Sequence, residues 1–120
     1  MDMAFGNAEA LLQAVNFDDN GLVPVIAQQY DTGDVLMLAR MNKQSLLETL
    51  TTGRTCYWSR SRQALWRKGE TSGNIQRLVG CRLDCDGDTV LLCVEQTGPA
   101  CHTGSRTCFF QSVPLSGAST

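Results

Sequence analysis

The stretch "IQRLVGCRLDCDGDTVLLCVEQ", residues 75–96, holds two apolar runs separated by an acidic, glycine-containing segment. "IQRLVGCRLDC" and "TVLLCVEQ" read as two long strands, and Asp86-Gly87-Asp88 between them favours a tight reversal. A hairpin of this length predicts a sheet as the frame of the fold. The same run sets Asp84, Asp86 and Asp88 around Cys85. Carboxylates suit hard cations such as Mg²⁺ or Ca²⁺, whereas a thiolate suits zinc or another soft metal. A strand that continues through Asp86 would send Asp84 and Asp86 to one surface and Cys85 to the other, which predicts two metal sites, close but distinct. An EF-hand is excluded: Asp84, Asp86, Asp88 and Glu95 match ligand positions of that loop, but Thr89 stands where its turn needs glycine and the flanks are strand-like. A charged hairpin tip without metal is the plainer alternative.

Working outward, "LVPVIAQQ" and "DVLMLAR" flank "YDTG" and predict a second hairpin. "NAEALLQAV" begins with the capping residue Asn7 and spaces Leu11, Leu12 and Val15 along one helical face. "MNKQSLLETLTTG" supplies an Asn42 cap, apolar Leu46, Leu47 and Leu50, and a terminating Gly53, hence a second helix. "TCYWS" and "ALWRKG" have strand character, and "GETSGN" reads as a loop. The class is α+β, mostly antiparallel strands and hairpins with two or three short helices. The 120 residues form one domain, with a helical segment over 1–16 and a Ser, Gly and Pro-rich tail over 111–120 expected to fray.

No run approaches the roughly 18 apolar residues of a membrane span, and the N-terminus lacks the marks of a signal peptide. A soluble, cytoplasmic protein is expected, with no membrane partner. The net charge of −2 disfavours a broad nucleic-acid surface. Charge is unevenly spread, however: Arg54 to Arg82 holds seven basic residues against the single acid Glu70. That segment suits a small phosphorylated ligand. An ordinary solvated face is the plainer alternative; for an anionic ligand Arg60, Arg62, Arg67 and Lys68 are the candidate phosphate contacts, since guanidinium groups pair with phosphate oxygens two bonds at a time, and Ser72 and Asn74 are candidates for further hydrogen bonds to it.

Six cysteines without an export signal point to metal ligation or burial rather than disulfides. Cys101 and Cys108 bracket a Gly-containing loop in "ACHTGSRTCFF" and are the best soft partners for Cys85. Cys81 lies four residues from Cys85, about 13 Å along a strand and too far for one coordination sphere. Cys56, Cys81 and Cys93 sit among apolar or aromatic neighbours and read as small core residues. Three thiolates would leave one position on zinc open for water, as in a catalytic site. His102, the only histidine, could instead close the sphere, or point away and carry a proton.

"GLVPVIAQ", "TGDVLMLARMN", "YWSRSRQALWRKGETSGNIQ" and "DCDGDTVLLCVEQTGPACHTGSRTCFF" together resemble, in order and spacing, phosphoribosyl-AMP cyclohydrolase, an enzyme of histidine biosynthesis. The resemblance runs from Phe17 to Phe110. It implies an obligate homodimer with Zn²⁺ bound between subunits by Cys85, Cys101 and Cys108, and Mg²⁺ bound by Asp84, Asp86 and Asp88. The substrate it implies is AMP with a second phosphoribosyl group on purine N1, opened by hydrolysis of the N1–C6 bond with zinc activating the water. His102 is then the candidate catalytic proton carrier. Two residues depart from the family's pattern: Arg40 in "LARMN", where members often have an aromatic residue, and Asn74 in "SGN", where many have His. Other classes fit less well. A purely structural zinc module would not need the carboxylates, the H-x-E and P-C-x-x-C signature of zinc deaminases is absent, and no RNA-binding signature accompanies Tyr57, Trp58 and Trp66.

Overall fold

The computed structural model describes residues 4–116. Its elements, in chain order, are α1 (Ala8–Ala14), β1 (Leu22–Gln29), β2 (Val35–Asn42), α2 (Lys43–Thr52), β3 (Cys56–Ser59), β4 (Ala64–Arg67), β5 (Gln76–Leu83) and β6 (Val90–Gln96). The α+β class therefore stands, with two helices among the described residues. Both helices start where a side chain can satisfy free backbone N–H groups. The Asn7 side chain accepts from Ala10 N, and Asn42 and Ser45 form a reciprocal capping box at the start of α2. Gly53 ends α2 at φ 76°, a conformation that disfavours residues with a Cβ.

β2, β1, β6 and β5 form one four-stranded sheet in that spatial order, and β3 with β4 forms a separate antiparallel ribbon. The hairpins β1–β2 and β5–β6 are antiparallel as expected, but β1 and β6 pair in parallel, Val25 opposite Val90 and Gln28 opposite Cys93. This pairing joins strands some sixty residues apart, so no turn sequence announces it. One face of the sheet carries the core: Val23, Val25 and Ala27 of β1, Met37 and Met41 of β2, and Val90, Leu92 and Val94 of β6 pack with Leu11, Leu12, Leu46 and Tyr57. Burial of these side chains stabilises the fold by ~1.5–3 kcal/mol for each large one.

Register explains two departures from the expected burial, at Leu47 and Cys93, and one agreement, at Cys81. Leu46 is buried and Leu50 packs beside it one turn on, whereas Leu47, about 100° round the helix, is 44% exposed. A bulge between Leu78 and Gly80 lets Leu78 and Cys81 both face the core, so Cys81 packs there as expected. Cys93 does not: its neighbours Leu92 and Val94 point into the core, so Cys93 lies on the opposite face, half-buried, with Leu91, Pro24, Ile26 and Leu38. Among the described residues no helix or further strand layer lies over that second face, and Leu38 is 49% exposed on it. Residues 111–116 form no helix or strand, and the remainder of the expected tail, like residues 1–3 of the helical segment, lies outside the described residues.

Candidate metal and substrate site

The acidic turn is built differently from the strand extension expected. β5 ends at Leu83, so Asp84 to Thr89 form a turn and the alternation argument does not apply to them. Asp84 Oδ1 instead accepts hydrogen bonds from the backbone N–H of Asp88 at 3.0 Å and of Thr89 at 3.2 Å, folding the turn back on itself. Gly87, at φ 75°, lies so close to Ala14 that a Cβ there would come within 2.7 Å of the Ala14 carbonyl oxygen. Asn16 completes the docking through its side-chain amide to Asp86 O at 2.6 Å. The consequence is convergence: ligand oxygens of Asp84, Asp86 and Asp88 all lie within 4.8 Å of one another.

Three carboxylates at that separation cannot all carry charge cheaply. Asp88 is pushed up to about 6, first by its hydrogen bond with Asp84, then by that with Asp86, with desolvation and repulsion from both adding. Asp84 moves down: slight desolvation opposes the change, but hydrogen bonds from Asp88 and Thr89 outweigh it. A proton shared within an exposed acidic cluster is what a divalent cation would replace, and an all-oxygen donor set fits Mg²⁺ or Ca²⁺.

The second donor set lies at the other end of β6. Backbone bonds Ala100 N to Arg106 O (3.0 Å) and Cys101 N to Ser105 O (3.1 Å) close the loop after β6, and Cys108 N donates to Leu36 O at 2.7 Å, pinning the loop to the start of β2. The Cys101 and Cys108 thiols meet there, each altering the other's ionisation. Cys101 is held below the ordinary thiol range chiefly by a hydrogen bond from Thr103 Oγ1 at 3.1 Å, with the Lys68 ammonium contributing; desolvation raises Cys108. Two adjacent thiols, one of them biased toward thiolate, fit a soft metal such as zinc.

Cys85 is not with them. It sits in the acidic turn before Val90, and Cys101 follows Gln96, so β6, a strand of about 20 Å, separates the two within one chain. His102 is exposed on the turn immediately after Cys101.

The basic residues divide. Arg60 and Arg62 are exposed in the turn between β3 and β4. Arg67 is already engaged, donating through Nε and Nη2 to both Glu48 carboxylate oxygens at 2.9 and 2.8 Å, which lowers Glu48. Lys68 is buried and donates to Ala100 O. Ser72 Oγ accepts from Asn74 N at 3.2 Å, and the Asn74 side chain packs so tightly on Gly98 that a Cβ there would stand 2.5 Å from Asn74 Oδ1.

Sequence reasoning missed a buried amide network beneath these loops. Gln76, buried at the start of β5, donates to Gln96 Oε1 at 2.7 Å and accepts from Thr55 and Tyr57 hydroxyls. Gln96 Nε2 in turn lies within hydrogen-bonding distance of the carbonyls of Asn74, Thr97 and Pro99. The glutamines sit at core positions of the alternating pattern of β5 and β6, which is the signal that could have found them.

The family model for phosphoribosyl-AMP cyclohydrolase matches residues 37–110. A phosphoribosyl-AMP cyclohydrolase of Rhodospirillum rubrum is 61% identical over 117 residues, covering 98% of this chain and 82% of its own. One of Acidiphilium cryptum is 63% identical over 107 residues, covering 89% and 92%, and one of Micrococcus luteus is 63% identical over 107 residues, covering 89% and 85%.

Proposed function

This chain belongs to the phosphoribosyl-AMP cyclohydrolase family, and from that membership we propose that it hydrolyses N1-(5-phosphoribosyl)-AMP in histidine biosynthesis, opening the purine at the N1–C6 bond. The observation that carries the reading is the pair of donor sets built at the two ends of β6, one of hard oxygens and one of soft sulfurs, within motifs the family match covers. In the reaction one water is added: its oxygen goes to C6, the N1–C6 bond breaks, and N1 takes a proton. Alkylation at N1 leaves C6 electron-poor and ready for attack. Zinc, when bound, would supply water acidified toward pKa ~7 beside that carbon. Cys85, Cys101 and Cys108 would hold the zinc, and Asp84, Asp86 and Asp88 would hold Mg²⁺. His102, exposed beside Cys101, would take or deliver the proton. Arg60 and Arg62 would hold a phosphate, while Ser72 and Asn74 would face the base or ribose.

A homodimer completes the arrangement. The uncovered sheet face with Pro24, Ile26, Leu38 and Leu91 supports pairing of two copies. A two-fold axis across β6 would set the Cys85 end of one chain against the Cys101–Cys108 end of the other, so that neither chain alone makes a zinc site. Arg40 lies on this same sheet face, opposite Pro24, and would sit at the contact between the two copies in such a dimer.

The direct test supplies purified protein, replete with zinc and Mg²⁺, with N1-phosphoribosyl-AMP and follows ring opening by absorbance, using AMP and adenosine as controls. Turnover of the N1-substituted nucleotide alone is expected. Turnover of AMP or adenosine instead would indicate a deaminase, and no turnover of any would favour a non-catalytic metal module.

The acidic turn makes its own prediction. Asp88 in the metal-free turn keeps a proton up to about pH 6, and a cation must displace it. Mg²⁺ affinity should therefore fall as pH drops through 6 and level off above it, with proton release on binding near pH 6 in calorimetry. Asp86→Asn should weaken Mg²⁺ dependence and leave zinc content unchanged. Full activity of wild-type protein without Mg²⁺, in a chelator too weak to remove zinc, would contradict the role.

A further inference from the structure

We propose that Lys68 is a positioning residue for the cysteine loop: its buried ammonium holds the Ala100 carbonyl and thereby sets Cys101 for a soft metal, rather than contacting a substrate phosphate. The inference rests on the zinc reading for the metal and on geometry for the contact. Lys68 follows directly on β4 and is only 8% exposed, unlike Arg60 and Arg62 on the same ribbon. Its Nζ donates to Ala100 O at 2.9 Å and lies 5.5 Å from the centre of the Trp66 ring. Ala100 is itself buried, and the next residue is Cys101. A buried ammonium is tolerated only where its donors find partners. Here the carbonyl takes one, the Trp66 face offsets part of the lost hydration, and the two thiols lie near enough to oppose the downward shift that burial imposes on the amine.

A second, independent clamp acts on the same strap. Gln96 Nε2 reaches Thr97 O at 2.9 Å and Pro99 O at 3.5 Å, so the segment between β6 and Cys101 is held by an amide as well as by the ammonium. Asn74 O and the Asn74 side chain against Gly98 dock the "KGETSGN" loop onto that strap as well. A carbonyl bond next to a ligand residue works as outer-sphere support does in metal sites generally: it fixes the ligand's direction before the ion arrives.

The chain has two lysines, Lys43 and Lys68, and Lys43 is exposed, which provides an internal control. Metal-loaded wild-type protein treated with an amine-acetylating reagent should modify Lys68 at least ~10-fold more slowly than Lys43, with or without nucleotide present. Lys68 labelling as fast as Lys43, and protection only by the nucleotide, would overturn the proposal in favour of a phosphate contact. Lys68→Met keeps the apolar stem and removes the charge. It should lose zinc to a competing chelator at ~10–100-fold lower chelator concentration, with KM at saturating zinc within about threefold of wild type. Unchanged zinc retention with a tenfold higher KM would also overturn it. If the variant does not fold, the wild-type labelling decides. If wild-type protein holds no zinc, the metal reading fails separately, and an iodoacetamide reaction rate at Cys101 that is the same in Lys68→Met as in wild type would then refute positioning.

Discussion

Cys85→Ser is expected to abolish zinc retention and to lower kcat/KM by more than the ~10²–10⁴ that loss of a general acid or base costs, although Cys85 lies a full strand away from the other two thiols of its own chain. A hydroxyl is a poor ligand for a soft ion, and two remaining sulfurs do not hold zinc as three do. Cys101→Ser and Cys108→Ser should behave alike. The remaining cysteines should not. Cys56 is wholly buried in the core, away from solvent, with its thiol pushed up to about 12 by burial and by the nearby Glu48. Cys56→Ser should keep zinc and lose ~1–3 kcal/mol of stability through the poorly satisfied buried hydroxyl. Cys81→Ser and Cys93→Ser should keep zinc as well. Zinc content by atomic absorption, with urea unfolding in parallel, separates these outcomes; full zinc in Cys85→Ser would refute its assignment.

His102→Ala is expected to preserve zinc and slow the reaction by ~10²–10⁴, the usual cost of losing a positioned proton carrier. The chain holds no second histidine, so no other residue of it can supply an imidazole. If His102 were a zinc ligand instead, the same substitution would release the metal together with the activity. Metal content measured beside kcat therefore distinguishes the two roles, and an unchanged kcat would eliminate both.

Elements set by local chemistry were readable from the residues alone. The caps of α1 and α2, the Gly53 stop and the two long hairpins follow from side chains acting within a few positions of themselves. The clustering of carboxylates in the acidic turn was readable, but for a different reason from the one its strand-like flank suggested: Asp84 accepts from the turn's own N–H groups, and this gathers the three side chains. What escaped were pairings over long separations. The parallel contact of β1 with β6, the capture of Arg67 by Glu48 nineteen positions away, and the burial of Lys68 on Ala100 all depend on how distant segments stack. A run of basic residues looks alike whether its members face solvent, an acid or a carbonyl, so composition alone could not tell Arg60 and Arg62 from Arg67 and Lys68.

In the proposed dimer each zinc site is made by two chains, Cys85 from one and Cys101 with Cys108 from the other. Mixing Cys85→Ser and Cys101→Ser chains by joint unfolding and refolding tests it most directly. Each variant alone has only incomplete sites. In a mixed dimer both substitutions fall in one site and the other is intact, so random pairing should restore about one quarter of wild-type zinc and activity, half the dimers being mixed with one working site in two. No recovery in a sample whose mixed dimers are verified by native mass spectrometry would contradict the account, as would full activity in a wild-type monomer.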